Sequence, residues 1–456
     1  MITIGLYLVV GMVLAQGIIR LKKPFFALAK KSVSLLNVLV SDVDEDEKID
    51  ALSAQIGTTV VALLKVLGLL IAMLGVSYGL WFGVQFLLEA ELVKEKETFG
   101  SYSMVALAVG SILPFLKKSK STSAYSDLAQ LFHHLVLDNY HLGRRLLERQ
   151  IKGVEKPDPS KINGVIITGL ARAGTTALTR ELAARGPFSS LDYSNMPVLL
   201  APRLWGRIYK PKKVEDQERA HGDGIKVGLA SVEALEEYFF KVVLNDRYIQ
   251  KEGVIEHDLS EVENSLYRRY QESIRQPGCL YLAKNNNCIT RYQSLTALNP
   301  DLKVYIMLRD PLQHAYSLMK QHIRFEADQQ KDPFVLTYMD WLGHHEFGIG
   351  QRPFILKNAP AAPFVGDPHN LNYWLERWIS YYSYVSALEA KSIILYDLFL
   401  QEPTAVMSRI SADLGVDFNR DNINLFDKNA ASIPNHDSTL AKRAYEVYEA
   451  LKLHAL

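Results

Sequence analysis

Cysteine is almost missing from this sequence: Cys279 and Cys288 are the only two in 456 residues. Two cannot build a disulfide framework, and no Asn-x-Ser/Thr sequon occurs. Both absences favour a reducing compartment for the bulk of the chain. Net charge is nearly absent as well. Lys+Arg 51 against Asp+Glu 50 argues against bulk nucleic-acid binding. A third absence is local. Gly169 and Gly174 have the spacing of a Walker A loop, yet Thr175 stands where the phosphate-binding lysine belongs.

Apolar residues are concentrated in the first 116 positions. Ile2 to Ile19 carries no charge and closes on Arg20, Lys22 and Lys23, without the basic start or cleavage site of a signal peptide. Pro24 to Val40 mixes Lys30 and Lys31 with apolar residues, as a helix lying on a membrane surface does. The acidic stretch Asp42 to Asp50 reads as a solvated loop. Thr58 to Leu88 holds one charge, Lys65, and exceeds the roughly 20 residues a span needs. Ser103 to Leu116 is shorter and ends at Lys117, Lys118 and Lys120. These runs predict a helical anchor over residues 1–120 with two or three spans. With basic flanks on the cytoplasmic side, three passes leave everything after Lys117 in the cytoplasm. The alternative is a set of core helices in a soluble helical domain.

Residues 121–160 read as a linker. Apolar residues at helical spacing from Tyr125 to Ile151 predict one joining helix, and Pro157 and Pro159 mark its boundary. From Lys161 onward, strand-like runs alternate with amphipathic segments at Gly164–Gly169, Leu280–Ala283, Lys303–Leu308 and Ser392–Tyr396. That alternation predicts an α/β domain over 161–456, a three-layer sandwich around a mostly parallel sheet. Phe347 to Asn370, rich in Pro and Gly, reads as a long surface loop over or beside a site.

Two stretches carry chemistry. In the first, a β-branched run ends in Gly169-Leu170-Ala171-Arg172-Ala173-Gly174-Thr175-Thr176 and passes into a helical segment. A strand, a tight turn and a helix N-terminus gather backbone N–H groups and positive partial charge, which makes an anion site. In the second, the strand Val304–Leu308 ends in Arg309-Asp310-Pro311, and Ser317 follows on the next helix. Arg309 then lies at the carboxyl edge of the sheet, where open α/β folds bind ligands.

Together the two stretches resemble the sulfotransferases that use 3′-phosphoadenylyl sulfate (PAPS), whose fold is P-loop-like. The resemblance implies that Arg172, Ala173, Gly174, Thr175 and Thr176 hold the 5′-phosphosulfate end, and that Arg309 and Ser317 hold the 3′-phosphate. It continues at Ala283-Lys284-Asn285, where the family carries a lysine just after a strand. It is also visible at Ile394-Leu395-Tyr396-Asp397-Leu398 with Leu414-Gly415. Lys284 is thereby expected to stabilise charge on the departing bridging oxygen. A transferring sulfuryl group carries less negative charge than a phosphoryl group, so no metal is expected.

The general base departs from the pattern. Soluble members place a histidine two residues past the lysine, and here that position is Asn286. The candidates are His221, in a glycine-flanked loop beside Asp223, and then Asp192, in the region where other branches use a carboxylate. The pair Glu236-Glu237 ranks behind them as a common helix-surface feature. Met196 to Trp205 and the aromatics Trp374, Trp378, Tyr381, Tyr382 and Tyr384 read mainly as packing. The expectation is a membrane-anchored, cytoplasm-facing sulfotransferase whose acceptor is a hydroxyl compound, a membrane-associated glycan or lipid, or a small alcohol. A P-loop kinase or NTPase, with Asp310 as a Walker B mimic, and a non-catalytic membrane scaffold are the alternatives.

Overall fold

The computed structural model describes residues 2–40, 45–89, 127–209, 234–359, 366–419 and 432–456, together with 107, 217–218, 226–227 and 423. The chain divides into two compact units, Met1–His141 and Leu142–Leu456.

The first unit holds two long helices, Ile2–Val40 and Glu45–Glu89. They run antiparallel. Ser34 Oγ donates to Gln55 Oε1 at 3.1 Å, Lys31 Nζ to the Thr58 carbonyl at 2.9 Å, and Leu80 packs on Tyr7 and Val10. Gly17 lies against Met73, where a Cβ would crowd the Met73 side chain. The two expected segments on either side of Pro24 are one helix. Pro24 sits inside it, losing only its own N–H bond while the hairpin partner holds the line of the helix. The expected acidic loop is also shorter, because the second helix begins at Glu45 and an acidic first turn suits a helix N-terminus. Among the described residues one helix, Glu47–Leu80, is long and apolar enough to cross a membrane, and only 6% of its apolar window is buried. Ser103–Leu116 lies outside the described residues except Leu107. The expected joining helix is two helices, Asp127–Leu137 and Tyr140–Gln150. They part at Asp138-Asn139, residue types that favour helix ends and turns over helix interiors; the Asp138 carboxylate lies 2.8 Å from His134 Nδ1.

The second unit is built on a five-stranded sheet in the order β2-β6-β1-β7-β9. Its strands are β1 (Gly164–Thr168), β2 (Phe188–Ser189), β6 (Leu280–Lys284), β7 (Leu302–Leu308) and β9 (Ser392–Leu395). The short strands β3 (Gln217–Glu218) and β4 (Lys226–Val227) pair antiparallel, and β5 (Val254–Ile255) pairs parallel with β8 (Phe354–Ile355). Every pairing in the five-stranded sheet is parallel. The continuous apolar character of β1 and β7 follows from this, since a parallel sheet is covered on both faces. Val165, Ile167, Leu282, Tyr305 and Met307 face Leu178 and Leu182 of one helix and Met407 and Ile410 of another. On the opposite face, Tyr281 reaches Glu236 beside the Glu237–Leu244 helix, and Tyr382 OH donates to the Met307 carbonyl at 2.7 Å. Helix, sheet and helix make three layers, as the sequence predicts.

Candidate active site

Three neighbouring strands, β6, β1 and β7, end on the same side of the sheet, with β6 stopping one residue short of β1 in register and β7 running two residues beyond it. Ile167 lies beside Lys284, and Thr168 beside Ile306. Their carboxyl ends therefore deliver Lys284, the Gly169–Gly174 loop and Arg309 to one edge of the sheet, where open α/β folds carry ligand sites.

The loop leaves β1 through Gly169 at φ 147°, where a Cβ would sit 3.0 Å from the Met307 carbonyl. Arg172 takes φ 70° and Gly174 φ 98°. Left-handed residues alternating with right-handed ones turn successive N–H groups into one concavity. The helix Thr175–Arg185 begins directly after it, with Thr175 and Thr176 buried in its first turn. A Cβ at Gly174 would drive into the ring of Tyr396. The guanidinium of Arg309 lies 5.0 Å from the centroid of that same ring.

The two predicted stretches meet. Arg172 Nε donates to Ser317 Oγ at 3.3 Å, and Arg309 Nη1 donates to the Arg172 carbonyl at 3.0 Å. The Arg172 side chain thus reaches Ser317. Arg309 Nε is buried without a hydrogen-bond partner. A buried donor left without an acceptor is costly, so this atom is suited to an anionic ligand.

His314 holds the loop from below. Its Nδ1 accepts from Trp378 Nε1 at 3.2 Å, which leaves the proton on Nε2, facing the Ala171 carbonyl at 2.7 Å. Burial, then the charge of Arg309, lowers its pKa to about 3, so the ring stays neutral and serves as a structural donor. Asp310 is committed elsewhere. It caps the Pro311–Lys331 helix through the Gln313 N–H at 2.9 Å and accepts from Tyr445 OH at 2.8 Å.

Lys284 is 8% exposed at the end of β6. Past it, Asn286 donates through Nδ2 to Glu346 Oε1 at 3.0 Å. Burial works against ionisation of Glu346, but the hydrogen bond and charge of His344, together with Asn286, hold its pKa at about 2. Among the base candidates, His221 lies outside the described residues. Asp192 is half-buried and caps the short helix Tyr193–Asn195, accepting from the Ser194 N–H at 2.8 Å.

The pair Glu236-Glu237 is not a helix-surface feature, since both are almost wholly buried. Glu237 receives two bonds from Arg291, at 2.6 and 2.9 Å, and one from Tyr248 OH. Burial opposes its charge, and Arg291 overcomes that and lowers the pKa. Glu236 accepts from Tyr267 OH, Tyr281 OH and Asn285 Nδ2, with its pKa raised by burial. The two carboxylates brace the β6 end behind Lys284. Met196, Val198, Leu199 and Leu200 are core, and so are Trp374, Trp378, Tyr381, Tyr382 and Tyr384. The segment expected as a surface loop, Phe347–Asn370, is partly internal: Phe347 and Leu356 are buried and Phe354–Ile355 pairs with β5. Its residues 360–365 lie outside the described residues.

Sequence reasoning missed His314, Tyr396 and Glu346 as parts of the site. His314 and Tyr396 had signals, being five residues past Arg309 and inside an already noted Tyr-Asp-Leu stretch. Glu346 had only its place in the run His344-His345-Glu346.

A parallel α/β sheet whose central strand feeds a glycine-bounded loop and a helix N-terminus, with an arginine at the next strand end, is the place where open α/β folds bind ligands. Comparison with known proteins adds a likeness. Residues 164–349 match the model of the sulfotransferase family, a segment that takes in Arg172–Thr176, Lys284, Arg309 and Ser317. Sulfotransferase STF1 from Mycobacterium tuberculosis H37Rv is 14% identical, with 72% of this chain and 87% of that one covered and a TM-score of 0.36. A sulfotransferase from Alicyclobacillus acidocaldarius is 16% identical, with 64% and 97% covered and a TM-score of 0.30. Sulfotransferase STF9 from Mycobacterium avium is 12% identical, with 79% and 85% covered and a TM-score of 0.29. No curated protein matches the chain in sequence.

Proposed function

We propose that the protein transfers a sulfuryl group from PAPS to an acceptor hydroxyl. The single observation that carries this reading is the joined anion site, Arg172 to Ser317 at 3.3 Å and Arg309 to the Arg172 carbonyl at 3.0 Å. A donor with a separate 3′-phosphate needs two anion sites on one sheet edge. The backbone of Arg172–Thr176 takes the 5′-phosphosulfate end, while Arg309, Ser317 and the Arg172 guanidinium take the 3′-phosphate. The orphaned Arg309 Nε fits such a ligand. When bound, PAPS supplies an activated sulfuryl group. The acceptor oxygen forms the new S–O bond as the bridging S–O bond breaks, and adenosine 3′,5′-bisphosphate leaves. Lys284, at the end of β6, would offset the charge growing on the bridging oxygen. The base that takes the acceptor proton is Asp192 or His221. Helix Glu47–Leu80 anchors the chain in a bilayer with the α/β unit on the cytoplasmic side, so a membrane lipid or glycan is within reach as acceptor, beside small alcohols.

Calorimetric titration with adenosine 3′,5′-bisphosphate tests the reading. Wild type binds, and Arg309→Ala binds at least ~10-fold more weakly, about 1.5 kcal/mol, the lower range for a hydrogen bond to a charged group. Equal affinity in that variant removes the 3′-phosphate assignment. Asp192→Ala retains affinity and loses turnover if Asp192 is the base; if His221→Ala does so instead, the histidine is.

A further inference from the structure

A cavity lies behind the donor loop, lined by Leu170 from the loop itself, Leu318 beside Ser317, and Asn287 three residues past Lys284. We propose that this cavity is the acceptor site, and that it takes a hydroxyl compound with one anionic group on an apolar body. The inference rests on the sulfotransfer reading and adds the acceptor class to it.

The walls set the class. Trp374, Tyr381 and Phe354 form an aromatic side that stacks against a ring or covers a chain. Arg352, Arg377 and Glu346 supply the charges. The carboxylate is already engaged, with Asn286 Nδ2 at 3.0 Å and His344 Nδ1 at 3.7 Å. Arg352 makes no ion pair among the described residues. Its backbone N–H donates to the His345 carbonyl at 2.7 Å, fixing the arginine's root at the cavity wall. The Arg377 guanidinium lies over the Tyr373 ring, 4.6 Å from its centroid.

His345 makes the independent case for a ligand. It lines the cavity and is 4% exposed, yet its Nε2 is buried without a hydrogen-bond partner; the nearest carboxylate, on Asp340, is 3.7 Å away. Burial, then the charge of Lys241, lowers its pKa to about 4, so at neutral pH the ring presents one neutral nitrogen to a polar group. A buried polar atom without a partner in a native fold needs an explanation, and a ligand hydroxyl or carboxylate provides one. An anionic acceptor also explains why a guanidinium stands beside a cavity whose carboxylate needs no counter-ion.

The test uses the full-length chain in detergent, saturated with adenosine 3′,5′-bisphosphate, and two probes differing in one charge, 4-hydroxyphenylacetate and 4-hydroxyphenylacetamide. By calorimetry the carboxylate binds at least ~10-fold more tightly, the contribution of a charge-assisted bond. Arg352→Gln brings the two within twofold and leaves the nucleotide affinity unchanged. Equal binding in wild type, binding of neither probe, or a preference that survives Arg352→Gln overturns the proposal. A second arm supplies radiolabelled PAPS with 4-hydroxyphenylacetate or with a membrane extract. Label on extract components with neither probe bound removes the acceptor class and keeps sulfotransfer. No label on probe or extract removes the sulfotransfer reading and the acceptor site with it.

Discussion

Two apolar helices in this chain meet opposite fates. Leu371–Ala387 places Trp374, Trp378, Tyr381 and Tyr382 in the interior of the α/β unit. Glu45–Glu89 leaves Val61, Ile71 and Leu74 more than 60% exposed. The first carries polar handles that find partners: Trp378 Nε1 bonds to His314 and Tyr382 OH to the Met307 carbonyl. The second has no aromatic residue from Val60 to Val76, and along its apolar window it satisfies its backbone internally and needs only an apolar surround, the condition a bilayer meets. Apolarity alone therefore does not decide burial in protein. Polar tips and a sheet to receive them do.

Four perturbations bear on this contrast. The largest effect falls on the polar interior of the α/β unit. Arg291→Ala leaves Glu237 buried without its counter-ion, which costs about 3–5 kcal/mol and is read as a lower urea midpoint. A shift within error breaks the view that paired buried charges brace this unit.

Ile71→Lys acts on the other helix. A lysine near the middle of a span costs about 2.5–3.5 kcal/mol on insertion scales, so membrane-fraction recovery after carbonate extraction drops. The urea midpoint of the α/β unit stays put. Unchanged extraction removes the anchor assignment.

Acidification comes third. His314 binds its proton in the unfolded chain near 6.5 and in the folded chain only near about 3. Its stability contribution is therefore complete above pH 6.5 and is lost as pH falls toward 3, by about 1.4 kcal/mol per pH unit while it alone titrates. Urea midpoints at pH 7, 6 and 5 fall in wild type, and the slope is shallower in His314→Phe. The smallest effect is Asp437→Ala, which removes the cap on the Thr439 and Leu440 N–H groups. It costs about 1 kcal/mol, measured as a small drop in midpoint.

Much of this protein is legible in order along the chain. The four long strands of the sheet start and stop within two residues of where apolar runs and punctuation place them, because a parallel sheet demands unbroken β-branched and aliphatic runs. The placement of Lys284 and Arg309 has a related reason: a residue at or just past a strand's carboxyl end is delivered to the sheet edge whatever the loops do. Glu236 and Glu237 were not legible. Nothing local distinguishes a surface carboxylate from one that receives Arg291 from fifty residues away. The break at Asp138-Asn139 was also missed, since the helical spacing of apolar residues continues across it.

By itself, the sequence determined the parallel α/β class and the two short stretches, Gly169–Thr176 and Arg309 with Ser317, that resemble the sulfotransferase pattern. Each is written as a short-range pattern of residue types, set by strand, turn and helix stereochemistry. Only the tertiary structure decided that Arg172 turns toward Ser317, that Tyr396 closes over Gly174, and that His345 and Arg352 line a cavity behind the loop. Those contacts join segments far apart in the chain. Their geometry depends on how layers pack, which no local periodicity records.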